Sequence, residues 1–455
     1  MYLLDDTIVA PLTPVGQGAV TILRISGPDS IALVNSFFKP VSTVETLKSH
    51  YFYYGHFYIS EVAIDEIMLV IMKSPKSYTC EDVVEIHCHA SIAIVTDILD
   101  DLLSKGVRMA DPGEFTFRAF KNGRIDLSES EAVADLIASR SATASRLALR
   151  QLEGELSHRI FLIKDLVVNM LSLLEAYIDF PEEDISSDHY SSLLSNSQAV
   201  LSSIEVLLAG FDEGRLLRDG LSLLILGKPN VGKSSLLNAL LGQDRAIVTD
   251  IPGTTRDIIQ ESITLRGFPV TVIDTAGIRQ TDDPIERDGV TRAKQQIAKA
   301  DIVLYMVDGA EEFDPAIFDD IELLESSHFC LVVNKMDKVG FEIPKQLNDY
   351  PVATVSVKYK EGLDSLIDCI FTQLNISGVD NSESVLVSDR RHRDALLRTR
   401  SFILEFYQSI QSVSVSDEFL AIHLRDALYS LGEITGETTT DDILNTIFNR
   451  FCIGK

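Results

Sequence analysis

The 455-residue sequence is short of positive charge, of cysteine and of long apolar runs, and each shortage removes a class of function. Forty lysines and arginines face 68 aspartates and glutamates, leaving a formal net charge of −28 and a pI near 4.6. Phosphate binding is dominated by Lys and Arg neutralisation, so this composition argues against wrapping nucleic acid with a broad basic face; any RNA contact is local or shared with a partner. Five cysteines, Cys80, Cys88, Cys330, Cys369 and Cys452, are odd in number, scattered and without a C-x-x-C pair. That predicts reduced thiols in a cytoplasm and no disulfide framework. Asp5 and Asp6 stand where a secretory leader carries basic residues, and no apolar run reaches about 18 residues, so neither secretion nor a membrane span is expected.

What is present begins with a phosphate loop. Gly227-Lys228-Pro229-Asn230-Val231-Gly232-Lys233-Ser234 fits G-x-x-x-x-G-K-[ST], between an apolar run at 221–226 that reads as a buried strand and a segment at 235–241 that reads as a helix. Glycines there turn backbone N–H groups toward an anion at a helix N-terminus, Lys233 reaches the terminal phosphates, and the Ser234 hydroxyl can bind magnesium. Three further segments select the nucleotide. Asp274-Thr275-Ala276-Gly277 follows an apolar strand, which puts Asp274 where it can hold magnesium through water and Gly277 where it meets a γ-phosphate. Asn334-Lys335-Met336-Asp337 follows a second such strand. The Asp337 carboxylate accepts two N–H bonds from guanine, whereas adenine leaves it unpaired, a discrimination of about 10⁴ or more for a polar pocket. The nucleotide is therefore read as GTP. Gly253-Thr254-Thr255-Arg256-Asp257 supplies a threonine for magnesium, Thr255, and Ser356-Val357-Lys358 lies where a guanine O6 loop falls, although Val357 is larger than the usual residue. After Gly277 comes Ile278, which cannot hydrogen-bond an attacking water as the glutamine of Ras-like GTPases does, so another group must hold that water.

The length suggests about three domains. Residues 1–120 mix β-rich runs at 19–25, 51–59 and 82–87 with helices, and predict an α+β domain. His87 and His89 share a strand face and, with Cys88, invite a metal; no further ligand has suitable spacing, and a strand with polar residues on its wet face is the preferred reading. Segments 76–79 and 112–116 carry turn chemistry, where binding residues tend to sit. Residues 121–216 turn helical: Leu152, Leu156, Ile160, Ile163, Val167, Met170, Leu174 and Tyr177 make one apolar face that ends before Pro181, as in a bundle or dimer seam. Residues 217–375 alternate strands and helices as a doubly wound parallel sheet does, and 376–455 return to helical periodicity. The simplest architecture inserts a P-loop GTPase domain into a discontinuous all-helical domain. Arg390, Arg391, Arg393, Arg398 and Arg400 cluster; a solvated helix face paired with local acids and an RNA backbone contact both fit.

On these residues the chain resembles, over nearly its whole length, the bacterial tRNA-modifying GTPase family called MnmE or TrmE. The likeness is carried by Asp6-Thr7-Ile8-Val9-Ala10 with Ile22-Leu23-Arg24-Ile25-Ser26-Gly27, by 112–137, by Gly277 through Glu286-Arg287, and most specifically by the terminal Phe451-Cys452-Ile453-Gly454-Lys455. The resemblance implies a multidomain α/β and α+β molecule: an N-terminal folate-binding domain that also dimerises, a discontinuous helical domain and an inserted Ras-like G domain. It implies a homodimer that works with a flavin-dependent subunit, MnmG (GidA), in a heterotetramer or larger complex on tRNA. Together they install an aminomethyl-type group, carboxymethylaminomethyl, at C5 of wobble uridine, from a tetrahydrofolate derivative (5-formyl or methylene). Arg24, Glu85, Arg124 and Lys455 fall at its folate-contacting positions. Arg124 stands in place of a lysine, which keeps the charge and changes the hydrogen-bond geometry. Cys80 and Cys88 replace small residues of the same motif.

Asn230 lies inside the phosphate loop, where its side-chain oxygen can coordinate a monovalent cation, with Thr249, Ile251 and Thr254 supplying further oxygens. The resemblance implies potassium, with hydrolysis triggered when two G domains meet across the ion. Such a cation stabilises charge developing in phosphoryl transfer, an effect worth up to ~10³–10⁵ in rate. Glu286 is then the acid available to orient the water, acting with Asn230 and Lys233; capping the following helix is the plainer role for an acid there. The expected GTP contacts are Asn230, Val231, Gly232, Lys233, Ser234 and Ser235 in the loop, and Thr249, Asp250, Ile251, Pro252, Gly253, Thr254 and Thr255 in the switch. Asp274, Thr275, Ala276 and Gly277 follow, then Asn334, Lys335, Asp337 and Ser356 around the base. The alternative function is a GTP-dependent ribosome or RNA assembly factor without modification chemistry, which a dedicated basic RNA-binding domain would mark.

Overall fold

The computed structural model describes residues 5–16, 18–179, 187–242, 262–273, 295–311, 315, 317–324, 327–338, 343, 347, 349–376, 387–411, 416–451 and 453–455. They form two units: 1–134 with 151–183 and 414–455, and 135–150 with 184–413.

In the first unit seven strands, β1 (Ile8–Pro11), β2 (Val20–Ser26), β3 (Phe38–Pro40), β4 (Phe52–Ile59), β5 (Val62–Met72), β6 (Val83–His89) and β7 (Arg108–Met109), make one sheet ordered β3-β4-β5-β6-β2-β1-β7. Successive side chains alternate between faces. Leu23, Ile25, Leu69, Ile71, Val84 and Ile86 therefore enter a core closed by the helices Ser30–Phe37 and Ile92–Ser104, where Phe37 stacks on Phe57 with ring centroids 4.7 Å apart. The register partners Arg24 and Glu85 take the other face. There the helix Glu114–Lys121 packs Phe115 against Ile8 and Ala10. Cys88 turns inward, and burial pushes its thiol up to about 11, while His89 is engaged by Asp65 at 2.7 Å.

The helix Glu155–Asp179 buries Leu156, Ile160, Ile163, Val167, Met170 and Leu174 and packs along Asp417–Thr435, with Arg425 and Glu175 paired at 2.8 Å. The apolar seam starts at Leu156 and not, as the spacing predicts, at Leu152, which ends the preceding helix Ala142–Leu152. Gly154 causes the break: its φ is +83°, and a Cβ there would stand 2.8 Å from the Glu129 carboxylate.

The second unit holds six strands, β8 (Leu221–Gly227), β9 (Ser262–Leu265), β10 (Phe268–Ile273), β11 (Ile302–Asp308), β12 (Phe329–Asn334) and β13 (Val352–Val355), ordered β13-β12-β11-β8-β10-β9. Every pairing is parallel except the β9–β10 hairpin at the edge. Parallel strands are covered on both faces, which is why β8, β11 and β12 read as near-continuous apolar runs. Arg218, at the end of the helix Phe211–Asp219 that feeds β8, pairs at 2.5 Å with Asp389, the N-cap of the helix Arg390–Ile410. The segments entering and leaving the sheet are thereby joined.

Two expectations bear on this unit. Cys330 on β12 and Cys369 on the helix Leu363–Gln373 face each other with Cα atoms 6.7 Å apart, within reach of a disulfide, a pairing that the scattered cysteine spacing does not anticipate. Packing of that helix on β12 brings together residues 39 apart in sequence, which motif spacing does not register. Within the arginine cluster, Arg393 pairs with Asp394 and lies 4.6 Å over the Phe211 ring, and Arg400 pairs with Glu205. Those contacts favour a helix face paired with local acids. No described helix is long and apolar enough to cross a membrane.

Candidate functional sites at the phosphate loop and on the seven-stranded sheet

β8 ends at Gly227 with φ +137°, where a Cβ would lie 2.3 Å from the Met306 carbonyl oxygen. The loop that follows turns through left-handed Asn230 and Gly232, at φ +66° and +108°, and leads directly into the helix Lys233–Leu241. Lys233 Nζ donates to the carbonyl oxygens of Gly227 at 2.8 Å and Lys228 at 2.7 Å, and burial lowers its pKa. Ser234 and Ser235 stand exposed on the first turn of the helix. Backbone N–H groups at this helix N-terminus suit an anion.

The base-side residues meet at the same end of the sheet. Buried Asn334 donates its side-chain amide to the Val231 carbonyl at 2.8 Å and accepts from the Val357 N–H at 3.2 Å. Ser356 Oγ donates to Asp337 Oδ1 at 2.7 Å, and that bond is the main reason the Asp337 pKa is lowered. Val357, bulky for its position, sends its side chain into the core and offers only its backbone to the site. Sequence reasoning missed Asp308, the last residue of β11, which binds the Lys335 ammonium. Burial opposes ionisation of Asp308, but the Lys335 bond and the Ala310 N–H outweigh it and hold the carboxyl below its ordinary value. An aspartate closing an apolar strand is the signal available in the sequence. Of the remaining predicted residues, Thr249, Asp250, Ile251, Pro252, Gly253, Thr254, Thr255, Asp274, Thr275, Ala276, Gly277, Ile278, Glu286 and Cys452 lie outside the described residues.

The second site lies on the seven-stranded sheet. Arg24 donates twice to Glu85 Oε1, at 2.8 and 2.9 Å. Burial raises the Glu85 pKa, but His87, 3.9 Å away, and Arg24 more than offset it and keep the carboxyl below its ordinary value. Tyr78 organises the rest: the guanidinium carbons of both Arg24 and Arg124 lie 4.8 Å from its ring centroid, and Arg124 also donates to its carbonyl oxygen at 2.8 Å. The structure thus gathers Arg24, Glu85 and Arg124. Tyr78 was visible in the sequence only as part of a turn-rich loop. That loop is braced by Arg118, whose side chain is fully buried and reaches Asp6, Glu81 and Glu114. The terminal residues arrive at the same corner of the sheet: Phe451 is buried, and Gly454 sits at φ +97° where a Cβ would be 2.3 Å from the Pro11 oxygen. Pro11 follows Ala10, the register partner of Arg24. What approaches Gly454 is the β1 backbone. Lys455 follows, half-buried.

Residues 127–452 match the family model of the MnmE helical domain, and residues 7–124 that of the GTP-binding protein TrmE N-terminus. The tRNA modification GTPase MnmE of Syntrophotalea carbinolica is 48% identical over 455 residues, spanning 99% of each chain. That of Geotalea uraniireducens is 48% identical over 462 aligned positions, spanning 100% of each. Among solved structures, the G domain of the FeoB iron transporter of T. maritima is 26% identical over 34% of this chain and 98% of that one, with a TM-score of 0.25.

Proposed function

The chain belongs to the MnmE family of tRNA modification GTPases, and from that premise we propose that GTP hydrolysis at the β8 loop serves a folate-dependent modification of wobble uridine. The observation that carries the folate half is the convergence of Arg24, Glu85 and Arg124 on Tyr78. A folate is an aromatic ring system with amide-like N–H donors at one end and glutamate carboxylates at the other. Glu85, ionised, accepts paired N–H bonds, while the arginines match carboxylates in charge and geometry. The donor set fits the group, and Lys455, behind the docked Gly454, adds a cation at the same corner. A tetrahydrofolate derivative, 5-formyl or methylene, supplies the one-carbon unit when bound; the protein's part is to orient it.

For GTP, the loop N–H groups and Lys233 hold phosphates, and Asp337, kept ionised and aimed by Ser356, accepts from the guanine edge. Magnesium is assigned to exposed Ser234 with Thr255, and its charge offsets that of the phosphates. Potassium is assigned to Asn230, whose left-handed backbone sets it inside the loop, with Thr249, Ile251 and Thr254. Glu286 orients the attacking water. We assign residues 1–120 to a folate-binding and dimerisation domain, 217–375 to the G domain, and 121–216 with 376–455 to the helical domain. The working assembly is a cytoplasmic homodimer with the flavin-dependent MnmG subunit, sharing the tRNA. The acidic composition supports a shared contact, because this chain alone offers no broad basic face.

The test is mass spectrometry of wobble uridines in tRNA from a strain lacking this gene, complemented with the natural chain or with Glu85→Ala. Loss of the modified nucleoside, restored only by the natural chain, is expected. Unchanged nucleosides in the deletion strain would remove the proposal.

A further inference from the structure

The strand order places three loops side by side: the phosphate loop after β8, Asp308 at the end of β11, and Asn334 to Asp337 after β12, with Ser356 after β13 beyond them. A nucleotide with phosphates at the first loop and its base at Asp337 must cross the end of β11. What lies there is a lysine held in place. Lys335 has a left-handed backbone at φ +67°, and its ammonium is bonded to Asp308, whose side chain is only 5% exposed. Asp308 is itself fixed: its Oδ1 accepts from the Ala310 N–H at 3.0 Å, and the Gly309 N–H donates to the Asn334 carbonyl at 2.9 Å.

We propose that Asp308 is a positioning residue for the guanine nucleotide: by holding the Lys335 ammonium at the end of β11, it lays the aliphatic stem of Lys335 along the path between phosphate loop and base pocket. This rests on the guanine-nucleotide reading of the site. The stem offers an apolar surface to the flat face of the nucleoside, which a lysine left free in water does not hold in one place. Asp308 touches neither phosphate nor base in this arrangement and acts only through Lys335.

The experiment measures nucleotide binding and steady-state hydrolysis by the full chain with GTP and with ITP, which lacks the 2-amino group that Asp337 meets. Asp308→Asn should weaken both nucleotides equally, raising KM about 10-fold or more with kcat changed by less than about 2-fold. In the background of Lys335→Met, which keeps a stem and loses the ammonium, adding Asp308→Asn should change nothing further. That double variant carries no unpaired charge and so stands in if Asp308→Asn alone fails to fold. Asp337→Ala separates the two levels of inference. If it leaves the preference for GTP over ITP intact, the site reading fails and the proposal with it. If that preference collapses while Asp308→Asn binds GTP like the natural chain, or if the two substitutions act additively, only the lysine clamp is overturned.

Discussion

The side-chain amide of Asn334 donates to the backbone oxygen of Val231 across 2.8 Å, tying the end of β12 to the phosphate loop. The same side chain accepts from the Val357 N–H, so one residue fixes three loops. Asn334→Ala leaves a buried donor and a buried acceptor unpaired, which costs about 1–3 kcal/mol of stability. GTP affinity should fall about 10- to 100-fold with it, because both halves of the pocket lose their common support. Thermal unfolding and equilibrium nucleotide titration of the same protein check the two effects. Unchanged affinity in a variant that is destabilised would mean the loops hold their places without Asn334.

The Arg24–Glu85 pair gives a prediction about acid. The Glu85 pKa is lower in the folded protein than its ordinary value of 4.5, so the folded state binds fewer protons than the unfolded one across that range. Its contribution is present above about pH 4.5 and is lost as pH falls through the lowered value. Arg24→Gln should therefore cost about 1 kcal/mol near neutrality, allowing for solvent screening of a partly exposed pair. The deficit should shrink below the ordinary Glu85 value. Urea unfolding of both proteins at neutral and acid pH measures the difference; a deficit independent of pH would deny Arg24 its charge role.

Contiguous chemistry was legible in the sequence, and chemistry assembled by the sheet was not. The phosphate loop and Asn334 to Asp337 are short runs whose residue types carry their own reason, and the seam from Leu156 to Leu174 follows from spacing alone. Asp308 and Lys335 are 27 residues apart and meet only because β11 and β12 are neighbours. Arg124 reaches the Tyr78 carbonyl across 46 residues, and Cys330 reaches Cys369 across 39. Such pairs depend on strand order and helix packing, which periodicity does not encode. Leu152 shows the converse error, since one glycine with positive φ outweighed a matching apolar period.

Cys80 carries backbone strain inside the loop that presents Tyr78. Its φ is +60°, a left-handed conformation that costs an L-residue about 1–2 kcal/mol and glycine almost nothing. Glycine gives back part of that through the larger entropy of its unfolded chain, so Cys80→Gly should stabilise the protein by about 0.5–1 kcal/mol. Cys80→Ala, which keeps the strain, should not. Chemical denaturation under reducing conditions distinguishes them, because it removes thiol chemistry as a cause. Equal stability of the two variants would show that the loop relaxes around the side chain.

The end of the chain is docked where a frayed terminus is the ordinary expectation. Phe448 packs on Phe117 and Phe451, and Gly113, at φ +73°, admits the Phe448 carbonyl within 2.4 Å of where a Cβ would stand. Gly454 then meets the Pro11 oxygen just as closely, so the last residues reach the β1 end of the sheet. Gly454→Ala would combine a Cβ 2.3 Å from that oxygen with a left-handed backbone, and must displace the tail. Lys455 goes with it. Pro11 and Gly454 belong to the first unit and the phosphate loop to the second, so phosphate release from GTP should stay near that of the natural chain while tRNA modification, read by nucleoside mass spectrometry, is lost. Deletion of the last four residues should give the same pair of results. A Gly454→Ala protein that still modifies tRNA would mean the docked tail is packing alone; one that also loses GTP turnover would mean the substitution disturbs the fold beyond the tail.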